Sequence, residues 1–317
     1  MSVLDRAARA NPIGLGLAAV GRPAYINIGR DQDLGDDRSR EELERRAHAV
    51  LDAAWDLGVR YFDAARSYGL AEEFLASWLA APGRSAEAPV IGSKWGYAYT
   101  GNWDLAEPVQ ERKDLSAANF RRQLAETRAL LGDSLNVYQI HSATIESGVL
   151  DDDELRADLA ELRRSGVAVG LTVTGPRQGE TVDRALEVGI FDTVQATWNL
   201  LERSAGPALQ RAHDAGLGVI VKEALANGRL TIHGEEAALL AFASERELPP
   251  DAVAIAAAIS QPWADVVLSG AVSPQMLASN VRALEVVAEG ARPADELSQM
   301  AVDADGYWQQ RSRLVWQ

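Results

Sequence analysis

The chain has 317 residues, 47% of them hydrophobic and 24% charged, and it contains no cysteine. That length suits one large α/β barrel or two smaller domains, and the apolar share excludes intrinsic disorder. Without cysteine there is no disulfide framework, thiolate metal site or cysteine nucleophile, and a formal net charge of −15 argues against nucleic acid or an anionic membrane surface as a partner.

The first ten residues carry charges and no apolar stretch before Asn11-Pro12, so a signal peptide is not expected. The apolar run at 252–259 falls far short of the roughly 20 residues that cross a bilayer. A soluble cytoplasmic protein is the default expectation. Short β-branched runs then alternate with helical patterns, as in parallel α/β folds. Strands are predicted at 13–18, 60–63, 90–94, 136–141, 167–173, 193–196, 218–222 and 265–269. Between them, 40–57 sets Leu43, Ala47, Val50, Leu51 and Ala54 at helical spacing, and 116–131 does the same with Phe120, Leu124, Thr127 and Leu131. Segment 151–164 opens on an acidic run and closes on Arg163, Arg164 and Gly166, the order of a helix start and end, not of a metal site. Eight strands, each followed by a helix, predict a single (β/α)8 TIM barrel domain over 1–317; a doubly wound open sheet is the rival. Segment 21–37 reads as a loop over one mouth. The tail at 293–317, with Tyr307, Trp308, Leu314 and Trp316, reads as a cap on the outside.

Gly14-Leu-Gly16-Leu-Ala-Ala19 matches a dinucleotide fingerprint, but that motif needs a helix directly after its turn and Gly21-Arg-Pro23 follows instead. Small residues at a strand end explain it better. More informative is 59–69, VRYFDAARSYG, where Asp63 closes an apolar strand and Tyr68 follows one turn later. The next strand, VIGSK, ends on Lys94, and the one after, VYQIH, on His141. Each alone is an ordinary solvated strand end. Together, a barrel converges all four on its C-terminal mouth. A lysine beside a phenol is expected to lower the tyrosine pKa from its reference of about 10, with Asp63 fixing the lysine. His141 would hydrogen-bond the oxygen that Tyr68 protonates, which suits carbonyl reduction by an external hydride. A nucleophile or a zinc site does not emerge from this set, and no metal is expected.

This constellation resembles the aldo-keto reductase superfamily, through the words FDAARSYG, IGSK and YQIHS in order, and the likeness runs over nearly the whole chain. The resemblance implies a (β/α)8 barrel with Asp63, Tyr68, Lys94 and His141 as catalytic residues and NADPH, or NADH, as cofactor. It implies cofactor contacts at Thr172, which stands where the family has serine, and at Gln195, which matches a glutamine supporting the nicotinamide amide. Val173 stands where the family has asparagine. Lys222 replaces an aromatic residue that stacks on the nicotinamide. The stretch Glu223, Leu225, Asn227 and Gly228 is expected beside the pyrophosphate, where small residues let backbone amides approach. At the adenine end, Asn280 matches a family contact, whereas Gly270, Ala271 and Met276 replace residues that grip a 2′-phosphate. Arg22 or Arg229 would then have to compensate.

Trp95, Tyr97, Tyr99 and Trp103, with Tyr25 from the first loop, are candidates for an aromatic substrate pocket; Tyr25 and Trp95 are the first choices. The expected partner is a small carbonyl compound, set by loops 21–37 and 95–114 and the tail. Two other functions stay open: a nucleotide-binding barrel without turnover, and a non-redox lyase or isomerase using Lys222 and Glu223. Oligomeric state is not legible.

Overall fold

Each barrel strand is a short apolar run with both faces covered, helices outside and packed side chains within, which is why it reads as continuous rather than alternating. In a computed structural model describing residues 2–29, 37–81, 88–105 and 107–316, the strands are β1 (Ile13–Gly16), β2 (Tyr61–Asp63), β3 (Val90–Trp95), β4 (Tyr97–Tyr99), β5 (Glu111–Lys113), β6 (Leu135–Ala143), β7 (Ala168–Val173), β8 (Thr193–Thr197), β9 (Gly218–Lys222) and β10 (Val266–Ser269). Eight of them close a parallel barrel in the order β1-β10-β9-β8-β7-β6-β3-β2, as the sequence pattern predicts. The remaining two, β4 and β5, form an antiparallel hairpin within what reads in sequence as a plain loop.

The helices begin with α1 (Asp5–Ala10), α2 (Arg40–Asp56), α3 (Ala71–Leu79), α4 (Ala117–Leu131) and α5 (Asp153–Arg164). They continue with α6 (Gln178–Val188), α7 (Gly206–Asp214), α8 (Ala237–Glu245), α9 (Pro250–Ile259) and α10 (Pro274–Val281). Last come α11 (Ala283–Ala288), α12 (Pro293–Glu296) and α13 (Ala304–Arg311). Their starts follow local chemistry: Ser39, Ser116 and Asp152 accept from the backbone N–H three residues on, capping α2, α4 and α5. The acidic run at 151–154 is therefore a helix start. No helix follows β1 before α2 among the described residues, so the glycines at 14 and 16 carry no dinucleotide turn. Residues 30–36 of the first loop lie outside the described residues.

The tail departs in part from expectation. Its first part, α12, packs against the outer helix α9 as expected, but α13 and the residues after it cross the C-terminal mouth. Asn199 Nδ2 donates to the Tyr307 hydroxyl at 3.1 Å, and Trp316 packs edge-on to Tyr25 with ring centres 6.3 Å apart. At the opposite end, Leu4 and Ala7 pack with Tyr61, Val90, Val137, Ile220 and Val266 as an apolar plug. The fit is close: a Cβ on Gly218 would lie 2.8 Å from Leu4 Cδ1. Among the described residues no helix is long and apolar enough to cross a membrane.

Leu4→Ala should cost roughly 2–5 kcal/mol, the range for emptying a fully buried leucine site, measured by urea unfolding. A cost below about 0.5 kcal/mol, the size of an ordinary surface change, would show that the N-terminal segment does not belong to the core.

Candidate active site

The strand ends bring Asp63, Tyr68, Lys94 and His141 together at the C-terminal mouth. Asp63 and Lys94 are 2% and 1% exposed and form a direct ion pair. Lys94 Nζ also donates to the Ala64 carbonyl at 3.0 Å and to the Tyr68 hydroxyl at 3.2 Å. Oδ1 of Asp63 accepts from the Tyr61 hydroxyl at 3.3 Å, Gln195 Nε2 at 3.2 Å and, at 3.5 Å, Gln139 Nε2. Tyr68 reaches the lysine because its turn is packed tightly. The Leu70 N–H donates to the Gly21 carbonyl at 2.7 Å, and a Cβ on Gly21 would come within 2.2 Å of the Tyr68 carbonyl. Only glycine fits there.

His141 sits on a bulge in β6. The β6–β7 register shifts between Ile140 and Ala143, and Ser142 takes a φ of 59° with its N–H on Thr172 Oγ1 at 2.7 Å. The imidazole lies edge-on to Tyr68 and Tyr97, with ring centres at 5.5 and 5.0 Å. Burial, then the charges of Lys94, Lys222, Arg22 and Lys113, hold its pKa well below the usual 6.5, so it is neutral at pH 7. Its Nδ1 is buried with no protein partner among the described residues.

Tyr68 corrects an expectation. Its pKa is not lowered; burial, then the Asp63 carboxylate, push it well above 10, with Arg22 opposing. Asp63 offsets the lysine's charge, so the phenol stays protonated.

A cavity of about 670 Å³ opens from these residues. Its wall near Tyr68 includes Arg22, Tyr25, Tyr97, Glu111, Arg311 and Trp316, contributed by the first loop, the hairpin and the tail. Arg22 Nη1 bonds Glu111 at 2.7 Å and the Ser67 carbonyl at 2.9 Å, and its guanidinium lies 4.8 Å from the Trp316 ring centre. From there the cavity passes Thr172, Gln195, Lys222 and Leu225 to Asn227 and Gly228, and ends among Asp251, Gly270, Ala271, Met276 and Asn280.

Several sequence-predicted residues are engaged otherwise than expected. Trp95 does not line the cavity: alternation along β3 turns Lys94 inward and Trp95 outward, where it is fully buried against Phe120 at 5.1 Å. Trp103 donates to the Arg38 carbonyl at 2.9 Å, and Tyr99 accepts from the Trp103 N–H at 3.1 Å; neither lines the cavity. The Gln195 amide serves Asp63. Glu223 is held near pKa 2 by Arg311 and Lys222 against the effect of burial, and Arg311 Nε bonds both its oxygens at 3.0 and 2.9 Å. A committed carboxylate of this kind is a poor acid–base group, against the non-redox alternative. Asn280 accepts from Ser269 Oγ at 2.7 Å and donates to Asp251 at 2.6 Å. Arg229 pairs with Glu236 at 2.8 Å and Arg22 lies beside Tyr68, so neither stands at the Asn280 end. Sequence reading missed Glu111, Gln139 and Arg311. Gln139 was legible in principle, since it faces inward two residues before His141.

The aldo/keto reductase family profile matches residues 12–290. The chain belongs to this family. A curated relative, the uncharacterised oxidoreductase YrpG of Bacillus subtilis (strain 168), is 28% identical over 218 residues, 65% of this chain and 62% of that protein, so the match spans less than two thirds of its length. The D-threo-aldose 1-dehydrogenase of a Pseudomonas species is 26% identical over 73% of this chain and 72% of its own. The holo form of the aldo-keto reductase AKR11C1 from Bacillus halodurans shares the fold, with a TM-score of 0.69 at 21% identity over 92% of this chain and 93% of its own. Among the described residues no cluster of three or more His, Asp or Glu side chains is placed to hold a metal.

Because the fold resists protonating His141, the unfolded chain binds the extra proton below about pH 6.5. That contribution to stability is full above this pH and is lost as pH falls. The Tm of the unaltered protein should therefore drop more between pH 7.5 and 5 than that of His141→Gln, and parallel slopes would show that the imidazole titrates freely.

Proposed function

We propose that the protein reduces an aldehyde or ketone to an alcohol with a nicotinamide dinucleotide as reductant. The observation that carries this reading is Lys94 Nζ bonded at once to Asp63, the Ala64 carbonyl and the Tyr68 hydroxyl at the end of a cavity. The cofactor, when bound, supplies the hydride. Tyr68 gives its proton to the carbonyl oxygen as charge develops there, and Lys94 stabilises the phenolate left behind. An alkoxide is more basic than a phenolate, so the transfer runs downhill even from a phenol with a raised pKa. Asp63 fixes the lysine. Neutral His141, with no hydrogen bond to the protein among the described residues, donates to the same oxygen and orients it.

The lining fits an extended dinucleotide. It runs from Tyr68 past Asn227 and Gly228 to Asn280, and the buried Asn227 Oδ1 has no protein partner among the described residues. Thr172, Leu225, Asn227 and Gly228 would hold the middle of the cofactor, with Gly270, Ala271, Met276 and Asn280 at the adenine end. That end has no Lys or Arg among its described lining residues, while Asp251 contributes a carboxylate. A 2′-phosphate would meet repulsion and no charge-assisted donor, which favours NADH over NADPH.

Tyr68→Phe should lower kcat roughly 10²–10⁴-fold, the usual worth of a general acid, with dinucleotide affinity retained. Assays should run in both directions, aldehyde reduction and aldose oxidation, since one relative is named an aldose 1-dehydrogenase. Near-normal turnover would remove Tyr68 as the acid. In tryptophan-quenching titrations NADH should bind more tightly than NADPH, and Met276→Arg should improve NADPH binding roughly ten- to hundredfold, as for one charge-assisted contact. Tighter NADPH binding by the unaltered protein would overturn the cofactor preference. Binding of neither would remove the reductase reading.

A further inference from the structure

Among the described residues that line the reacting end of the cavity, the charges are matched with one exception. Lys94 is paired with Asp63, Arg22 with Glu111, and Arg311 with Glu223. Lys222, at the end of β9, lines the cavity and has no carboxylate within ion-pair distance among the described residues. Its Nζ donates to Thr197 Oγ1 at 2.8 Å, and that hydroxyl gives its own proton to Glu223 Oε2 at 3.2 Å. Thr197 is thus used in both directions. An ammonium has three N–H groups, so two remain without a protein acceptor among the described residues. The neighbouring Glu223 does not supply one. With a φ of 55° it turns to Arg311 instead.

A half-buried ammonium with no carboxylate in direct contact is costly unless a ligand brings one. The cost is visible in Lys222, whose pKa falls to about 8 because burial outweighs the nearby Glu223, with Arg311 and Lys94 adding to the fall and Asp63 opposing it. The charge also acts on His141, which places it at the reacting end and not beside Asp251. We infer that Lys222 is a specificity-determining residue that receives an anionic group, a carboxylate or phosphate, carried by the carbonyl substrate. This inference rests on the reductase reading and names the substrate class within it. Arg22 and Arg311 already hold carboxylates, so the unmatched Lys222 decides between charged and neutral substrates.

The test compares 4-carboxybenzaldehyde with 4-methylbenzaldehyde, and 4-oxobutanoate with butanal. In the unaltered protein kcat/KM should favour the anionic member of at least one pair. Lys222→Met should cut that preference roughly ten- to hundredfold, the worth of a charge-assisted hydrogen bond, while Lys222→Arg should keep most of it. Calorimetry with terephthalate, which is not reduced, gives a readout independent of turnover: binding should weaken by a similar factor in Lys222→Met. Equal terephthalate binding, or equal kcat/KM for charged and neutral members with turnover intact, would overturn the inference and leave the reductase reading standing. An equal loss on all four substrates with weakened dinucleotide binding would assign Lys222 to a cofactor phosphate and overturn it as well. Lys222-dependent terephthalate binding in a protein that reduces none of the four would keep the anion site and remove the reductase.

Discussion

The ion pair between Lys94 and Asp63, buried inside the barrel mouth, is the constraint around which the site is organised. Neither charge survives out of water without a full set of partners. Asp63 draws its partners from β2, β3, β6 and β8, through Tyr61, Lys94, Gln139 and Gln195. Lys94 spends its three N–H groups on Asp63, a carbonyl and Tyr68, so the tyrosine is one of the groups that satisfy the lysine. The turn that carries Tyr68 is tied to the same strand. The Arg66 N–H bonds the Lys94 carbonyl at 3.0 Å, and the Arg66 side chain pairs with Glu72, which also accepts from Ser93 Oγ at 2.5 Å and Thr127 Oγ1 at 2.9 Å. Moving Tyr68 would disturb two buried charge clusters.

The pair also explains why the tyrosine stays protonated and is not a resident phenolate. A lone ammonium at 3.2 Å would favour the ionised phenol. An ammonium already neutralised by a carboxylate leaves burial to dominate. Surplus charge then appears elsewhere along the cavity, positive at Lys222 and negative at Asp251. On the readings proposed above, one cavity would carry opposite preferences at its two ends, towards an anion near Tyr68 and away from an extra phosphate near Asn280.

Much of the fold is legible in the sequence because strand ends and helical spacing are local. Polar residues closing apolar runs mark Asp63, Lys94 and His141, and the helical spacing of 40–57 and 116–131 and the acidic opening of 151–164 mark three of the helices. What is not legible depends on pairings across the chain. Arg22 with Glu111, Arg311 with Glu223, and Gln195 with Asp63 join residues 89, 88 and 132 positions apart. No local pattern announces them, and they decide that the tail crosses the mouth and that Gln195 serves Asp63. The misplacement of Trp95 has a different origin. Its neighbour Lys94 faces the cavity, and adjacent residues in a strand face opposite ways. A pocket drawn from sequence proximity included it, whereas the period-two alternation of the same strand excludes it.

The two kinds of contact differ in how firmly they hold. Breaking the Lys94–Asp63 pair on one side leaves a bare charge in the barrel, at a cost of roughly 3–5 kcal/mol, so the chemistry is tied to stability. The mouth is built otherwise. Arg22 links the first loop to the hairpin and lies against Tyr25, Tyr68 and Trp316, while Arg311 links the tail to Glu223. These contacts join segments that lie outside the barrel staves and can be exchanged without emptying the core. Lys222 stands at the junction of the two: its backbone belongs to a barrel strand, while its ammonium faces the wall formed by the tail. On the readings proposed above, a substitution there would alter what the mouth accepts and leave the Asp63–Lys94–Tyr68 linkage untouched, which is the arrangement a barrel requires if substrate choice is to vary without loss of its proton donor.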